Sequence, residues 1–232
     1  MKKWIKRILL IFLAVILISG AVLGCLGYGD YREALQEEAL ADKIEDIRRS
    51  PNYVKIGEIP QDYLDAVVAV EDHRFREHGG IDVIAIGRAV KNDILSGSMK
   101  EGGSTITQQL ARNLYFTQEK KLTRKAAEMF MALKIEREYT KDEILELYIN
   151  TIYFGDGYYG IREASLGYYG KEPRELNFYE CTMLAGLPNA PSAYALSSHP
   201  ELAEQRRQTV IGQMEKYGYL DGQEEVQSEQ EP

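Results

Sequence analysis

The chain has 232 residues, a formal net charge of −8 and two cysteines. That length suits one domain with a short appendage, so one core is the expectation and a two-enzyme chain is not, while the acidic balance argues against a general nucleic-acid binder. Cys25 and Cys181 give no disulfide framework, and Cys181 reads as a small buried apolar residue.

The first seven residues carry Lys2, Lys3, Lys6 and Arg7, and Ile8 to Leu26 holds no charge. As a helix that run spans roughly 28 Å, the hydrocarbon thickness of a bilayer. It exceeds a signal-peptide core, no small-x-small site follows it, and Leu23 is bulky for a lipoprotein signal ending at Cys25. The reading is a transmembrane signal anchor over 8–27, with residues 1–7 cytoplasmic by the positive-inside rule and the remainder outside the cell membrane. Residues 28–50 mix acids, bases and alanines without a wide apolar stripe and read as a stalk that Ser50-Pro51 ends. Residues 51–220 read as one mostly helical domain, and 221–232, with five acids and no base, as a solvated, disordered tail.

Pro60 and Gly79-Gly80 bracket an expected helix over 60–78. On it Leu64, Val67, Val68, Glu71, Phe75 and His78 share one face, so Glu71 interrupts an apolar stripe. Burial and the neighbouring Asp72 push such a carboxylate towards a higher pKa, which suits a general base; a buried glutamate with a structural partner is the alternative. His73 and His78 are wrongly spaced for one ligand-forming face, and no metal ligands are assigned.

A second helix is expected from Ser104 as N-cap. It lines up Ser104, Gln108 and Arg112, a polar row suited to sugar hydroxyls and phosphate oxygens, opposite Ile106, Leu110 and Leu114. A third helix runs from Thr123 towards Tyr139. It starts beside the basic knot Lys120, Lys121, Arg124 and Lys125, and Arg124 and Lys125 can both reach Glu128. A local anionic ligand or an ordinary surface ion pair accounts for that knot. Thr140 to Glu143 forms a capping box for a fourth helix through Asn150, and FGDGYYG, Phe154 to Gly160, is a turn-rich loop.

Together EDHRFREHGG, GGSTITQQLARN, RKAAE, KDEILELYIN and FGDGYYGIREASLGYYGK resemble, in order and spacing, the motifs of the peptidoglycan glycosyltransferases, family 51 of the glycosyltransferases, over roughly Ile56 to Tyr194. The first motif follows E-D-x-x-F-x-x-H-x-G at Glu71, Asp72, Phe75, His78 and Gly79. The resemblance implies a lysozyme-like helical lobe with a small membrane-associated jaw lobe, to which Leu114, Tyr115 and Phe116 would belong. It implies polymerisation of lipid II: the acceptor GlcNAc 4-hydroxyl attacks C1 of the donor MurNAc with inversion, and undecaprenyl diphosphate leaves.

By that likeness Glu71 is the general base and Asp72 its support. Glu128 is the second essential glutamate, ordering cations or a divalent metal, Mg2+ or Mn2+, at the diphosphate, with no obligatory cofactor. Ser104, Gln108, Gln109, Arg112, Lys120, Arg124 and Lys125 line the donor and acceptor clefts. The implied partners are lipid II, the lipid-linked glycan strand, the membrane and cell-wall synthesis proteins. Arg162 and Glu163 depart from the family pattern, which has an acid directly after G-[IV], so roles in that motif, Lys171 included, do not carry over securely. Neither SxxK nor KTG occurs, which implies a monofunctional enzyme without covalent β-lactam binding. A lysozyme-like or lytic glycan-cleaving enzyme is the competing reading. Segments 96–103 and 114–121 are the expected mobile ones.

Overall fold

A computed structural model describes residues 2–96, 103–116 and 121–220. The expected tail over 221–232, Lys120 and most of the two segments expected to be mobile lie outside the described residues. Helices dominate what is described, and the only extended pairing among these residues is the isolated bridge between Tyr153 and Tyr159.

The first helix, α1 (Lys2–Glu37), is long and apolar enough to cross a membrane, with a mean hydropathy of 2.9 over its most apolar window, none of it buried. It continues without a break through residues expected to form a stalk. Those residues are not free-standing: Ala34, and Leu40 and Ile44 of α2 (Leu40–Arg48), are buried in the main core. Their few apolar side chains are split between two helices, which hides the stripe from a single-helix reading.

Gly27 sets how closely α1 packs on α6 (Leu122–Glu138). A Cβ there would lie 2.4 Å from Ala126 Cβ and 2.8 Å from the Thr123 carbonyl oxygen, so only glycine permits this approach. The third helix expected by sequence is therefore observed within a residue at each end. It carries Ala127, Met131, Ala132 and Ile135 on its buried face.

The helix expected over 60–78 is shorter. Pro60 is its N-cap, α3 covers Gln61–Glu71, and Asp72 leaves helical geometry at φ −159°, ψ 73°. Asp72 departs because its carboxylate is used twice: Oδ1 accepts from His78 Nε2 at 2.7 Å and Oδ2 from the Ile106 amide at 3.1 Å. Residues 73–78 form turns that return His78 beneath Asp72, and Phe75 is fully buried. α4 (Val83–Ser96) follows, capped by Asp82, whose Oδ1 accepts from the Ile84 and Ala85 amides.

The next helix, α5 (Ile106–Tyr115), starts at Thr105 rather than Ser104. Thr105 and Gln108 form a reciprocal capping box, each donating its backbone or accepting through its side chain at 3.1 Å, which Ser104 cannot form because position 107 is threonine. Ile106, Leu110 and Leu114 are buried as the apolar row requires. Tyr115 and Phe116 pack against the same core, and the Tyr115 hydroxyl donates to the Glu38 carbonyl. α7 (Lys141–Thr151) has the expected Thr140–Glu143 capping box. Its Tyr148 is fully buried.

The Phe154–Gly160 loop turns through positive φ at Gly155, Asp156, Gly157 and Gly160 and leads into α8 (Ile161–Tyr169). α9 (Phe178–Gly186), the single turn α10 (Pro191–Tyr194) and α11 (Pro200–Lys216) follow among the described residues. α3, α9 and α11 pack on one another, and α5 packs on α6 and α7. Cys181 on α9 is fully buried, and burial pushes its thiol up to about 12.

Candidate active site

A cleft of about 470 Å³ opens between the end of α3, the start of α5, α4 and α11. Glu71 stands at its floor, on the last residue of α3, with its side chain only 9% exposed. Its Oε2 accepts from Gln109 Nε2 at 2.8 Å, and Gln109 Oε1 in turn accepts from the buried Tyr148 hydroxyl at 3.3 Å. Oε1 has no hydrogen-bond partner among the described residues, and Arg206 Nη2 lies 3.8 Å from it. Burial raises the Glu71 pKa above the ordinary carboxylate range; Gln109, Arg206 and Arg112 hold it back, and Asp72 adds to the rise. A carboxylate with one oriented oxygen and one that accepts no hydrogen bond, its pKa raised, can take a proton from a hydroxyl brought against it from the cleft.

Asp72 borders the cleft, but both its oxygens serve the scaffold, joining the α3 terminus to His78 and to the first amide of α5. Burial works against a charged His78, yet the Asp72 carboxylate and the Gly79 carbonyl carry its pKa above the ordinary value. Asp72, His78 and Asp82 bring three metal-ligating atoms within 4.8 Å of one another. Asp72 is already bound to His78 and an amide, and Asp82 Oδ1 to two amides with Arg74 at 3.6 Å, so the cluster reads as a hydrogen-bonded joint. His73 goes elsewhere, stacked on Tyr217 with ring centroids 3.9 Å apart.

Ser104, Gln109 and Arg112 line the cleft as expected. Gln108 does not: at 1% exposure it is spent on the α5 capping box, because Thr105 and not Ser104 is the N-cap and Gln108 is its reciprocal partner. Ser104 precedes the helix, and its Oγ accepts from Lys125 Nζ at 2.6 Å, which links the cleft to the basic end of α6. Lys125 Nζ also donates to Glu128 Oε2 at 3.0 Å. Arg124 Nε lies 3.0 Å from Glu128 Oε1, an ion pair by distance whose angle is too oblique for a hydrogen bond. Glu128 is 1% exposed, so it is a buried anion held between two cations, not a surface pair. Lys120 lies outside the described residues.

The motif containing Arg162 and Glu163 serves the scaffold. Arg162 donates to the Pro51 carbonyl and to Glu172, Glu163 accepts from Asn52 and from the Tyr159 amide, and Lys171 donates to Glu180. Sequence reasoning missed the wall built by α4 and α11, where Arg88, Asn92, Arg206, Thr209, Gln213 and Lys216 face the cleft. The signal was present in α11. Arg206, Thr209, Gln213 and Lys216 follow one helical face, beside the row of the buried Ala203, Val210 and Met214.

A family model described as Transglycosylase matches residues 37–215. Penicillin-binding protein 1F of Bacillus subtilis is 49% identical over 173 residues, covering 75% of this chain and 24% of that protein. Penicillin-binding protein 1A of Pseudomonas aeruginosa is 41% identical over 197 residues, 85% of this chain and 24% of its own. The chain thus spans about a quarter of these penicillin-binding proteins. It covers 91% of a Cupriavidus necator protein whose name places it among transglycosylases, at 44% identity over 94% of this chain. A crystal structure of penicillin-binding protein 1A from Haemophilus influenzae matches with a TM-score of 0.43 and 24% identity over 78% of this chain and 17% of that one. On the family model and these identities, the chain belongs to the transglycosylase family, that of the peptidoglycan glycosyltransferases.

Proposed function

We propose that the cleft polymerises lipid II into glycan strands, and the observation that carries this reading is Glu71, which lines the cleft with a buried Oε1 that accepts no hydrogen bond from any described residue, in a cleft joined through Ser104 to the Lys125–Glu128–Arg124 cluster. Glu71 takes the proton of the acceptor GlcNAc 4-hydroxyl as that oxygen bonds to C1 of the donor MurNAc. The bond from C1 to the diphosphate oxygen breaks with inversion, and undecaprenyl diphosphate departs. A diphosphate is a weak base, so the leaving group needs charge neutralisation more than a proton. Arg112, Arg124 and Lys125 supply it, and Lys120 belongs to the same basic segment. Gln109 orients the base, and Glu128 holds the two cations in place.

Both oxygens of Glu128 face cations of the chain, a donor set that competes with a divalent metal instead of coordinating one. Arg and Lys side chains accordingly supply the neutralisation. The apolar α1 holds the domain on the outer face of the cell membrane in a single pass, where both lipid-linked substrates reside.

The test is purified full-length protein incubated with labelled lipid II, with products resolved by gel electrophoresis. Glycan strands from the wild type and a loss of at least about 100-fold in Glu71→Gln are expected. Undiminished polymerisation by Glu71→Gln would overturn the assignment, and release of fragments from preformed peptidoglycan instead of strand growth would establish the lytic reading.

A further inference from the structure

Away from the cleft, α1 and α6 enclose a second groove of about 470 Å³. The two helices run in the same direction, since Gly27 meets Ala126 and Tyr28 and Tyr31 meet Phe130. Each contributes the same helical pattern to the groove: Tyr28, Tyr31, Arg32 and Leu35 from α1, and Phe130, Leu133, Lys134 and Arg137 from α6, both at i, i+3, i+4 and i+7. The three aromatic rings form one cluster, with centroids 5.4 to 6.0 Å apart. The cations lie along the groove beyond it.

Position decides what such a groove meets. The strongly apolar run of α1 ends at Leu26, with Asp30 the first charge after it, and at 1.5 Å per residue Tyr28 and Tyr31 lie about 3 and 8 Å past Leu26, and Arg32 about 9 Å. That interval is the headgroup layer, where tyrosine rings concentrate and phosphates sit. Charge is also sorted by side. The acids of this part of α1, Asp30, Glu33 and Glu37, border a separate depression with Tyr115 and Phe116. Lys134 is paired with Glu138, but Arg32 and Arg137 are exposed and make no ion pair with any described residue. Two exposed guanidinium groups beside an aromatic wall suit a phosphodiester, with acyl chains running down the exposed Leu17 and Leu13, which continue the helical row of Tyr28 and Tyr31 towards the membrane.

We infer that the α1–α6 groove binds the headgroup phosphate of an anionic phospholipid, fixing the height and tilt of the domain on the membrane. This rests on reading α1 as the membrane anchor with the domain outside. The site is separate from the substrate cleft, and Arg32 and Arg137 take no part in the proposed chemistry.

The test is native mass spectrometry of the full chain in detergent, titrated with dioleoylphosphatidylglycerol or dioleoylphosphatidylcholine, with lipid II polymerisation in detergent assayed in parallel. The wild type is expected to hold one phosphatidylglycerol with a preference on the order of 30-fold, the contribution of two surface cations. An R32Q/R137Q double variant keeps its helical circular dichroism and its polymerisation but loses that preference, whereas Lys216→Gln in the cleft keeps it. No preference in the wild type, or a preference that survives R32Q/R137Q and disappears in Lys216→Gln, would overturn the inference. A wild type that prefers phosphatidylglycerol but makes no strands leaves the groove standing and removes the polymerase reading; the reverse pattern does the opposite.

Discussion

Gln109 donates from Nε2 to Oε2 of Glu71 across 2.8 Å, and Tyr148 holds Gln109 from behind. This hydrogen bond favours the ionised carboxylate and counteracts the burial that raises the Glu71 pKa. Gln109→Leu removes it without adding a charge. The activity of a general base rises with pH as it loses its proton, so the acid limb of the rate profile should move to higher pH, by about one unit if the bond has the ordinary strength of one to a charged group. An unmoved acid limb with lowered kcat would show that Gln109 serves only to pack against substrate.

Burial also makes Glu71 a liability for stability. Its folded pKa lies above the unfolded value, so the contribution to stability is full below the unfolded pKa and is lost as pH rises through the folded one. At neutral pH the ionised form is therefore destabilising. Glu71→Gln should raise Tm at pH 7 by roughly 2–4 °C, the shift that about 1 kcal/mol produces in a chain of this size. The gain should vanish at a pH below the ordinary carboxylate range, and thermal scans at the two pH values measure it. A gain equal at both would mean that charge is not its cause.

What was legible in the sequence was local or periodic. The Thr140–Glu143 capping box needs only its own four residues, and Glu71 stood out because an acid occupied a position on an apolar stripe. What was not legible depends on distant partners. α3 ends at Asp72 because the carboxylate reaches the Ile106 amide and His78, and no propensity over 60–78 reports the former contact. One residue of error at the start of α5 moved Gln108 from the cleft to a cap, since Thr105-x-x-Gln108 outcompetes Ser104. Arg206 comes from the far end of the chain, beyond the motifs that carried the resemblance, and meets Glu71 only because α11 packs on α3.

Glu128 separates structure from chemistry by choice of substitution. Its carboxylate is 1% exposed between Arg124, 18% exposed, and Lys125, 39% exposed. Removing the anion leaves a cation in a buried setting, so Glu128→Ala should lower stability by about 3 kcal/mol in urea unfolding. Lys125→Ala leaves Arg124 beside Glu128 and loses a group already partly in water, so its cost should stay below about 1 kcal/mol. If Lys125 holds diphosphate as proposed, its variant should raise the KM for lipid II more than it lowers stability. Equal unfolding midpoints for Glu128→Ala and wild type would mean that the buried pair does not hold the start of α6.

Gly27 tests whether α1 belongs to the folded unit or merely tethers it. A Cβ at this position would fall 2.4 Å from Ala126 Cβ and within 3 Å of the backbone at Thr123 and Ala127, and backbone atoms cannot swing aside as a long side chain would. Gly27→Ala should therefore push α1 away from the first turns of α6, at a cost of about 1–3 kcal/mol despite alanine's better helix propensity. The same displacement opens the contact of Tyr28 and Tyr31 with Phe130. A cysteine pair at Tyr31 and Phe130, expected to cross-link under mild oxidation in the otherwise native chain, should do so more slowly once Gly27→Ala is added. Cross-linking at an unchanged rate, with unchanged stability, would mean that α1 is not seated on α6 in the membrane-bound protein.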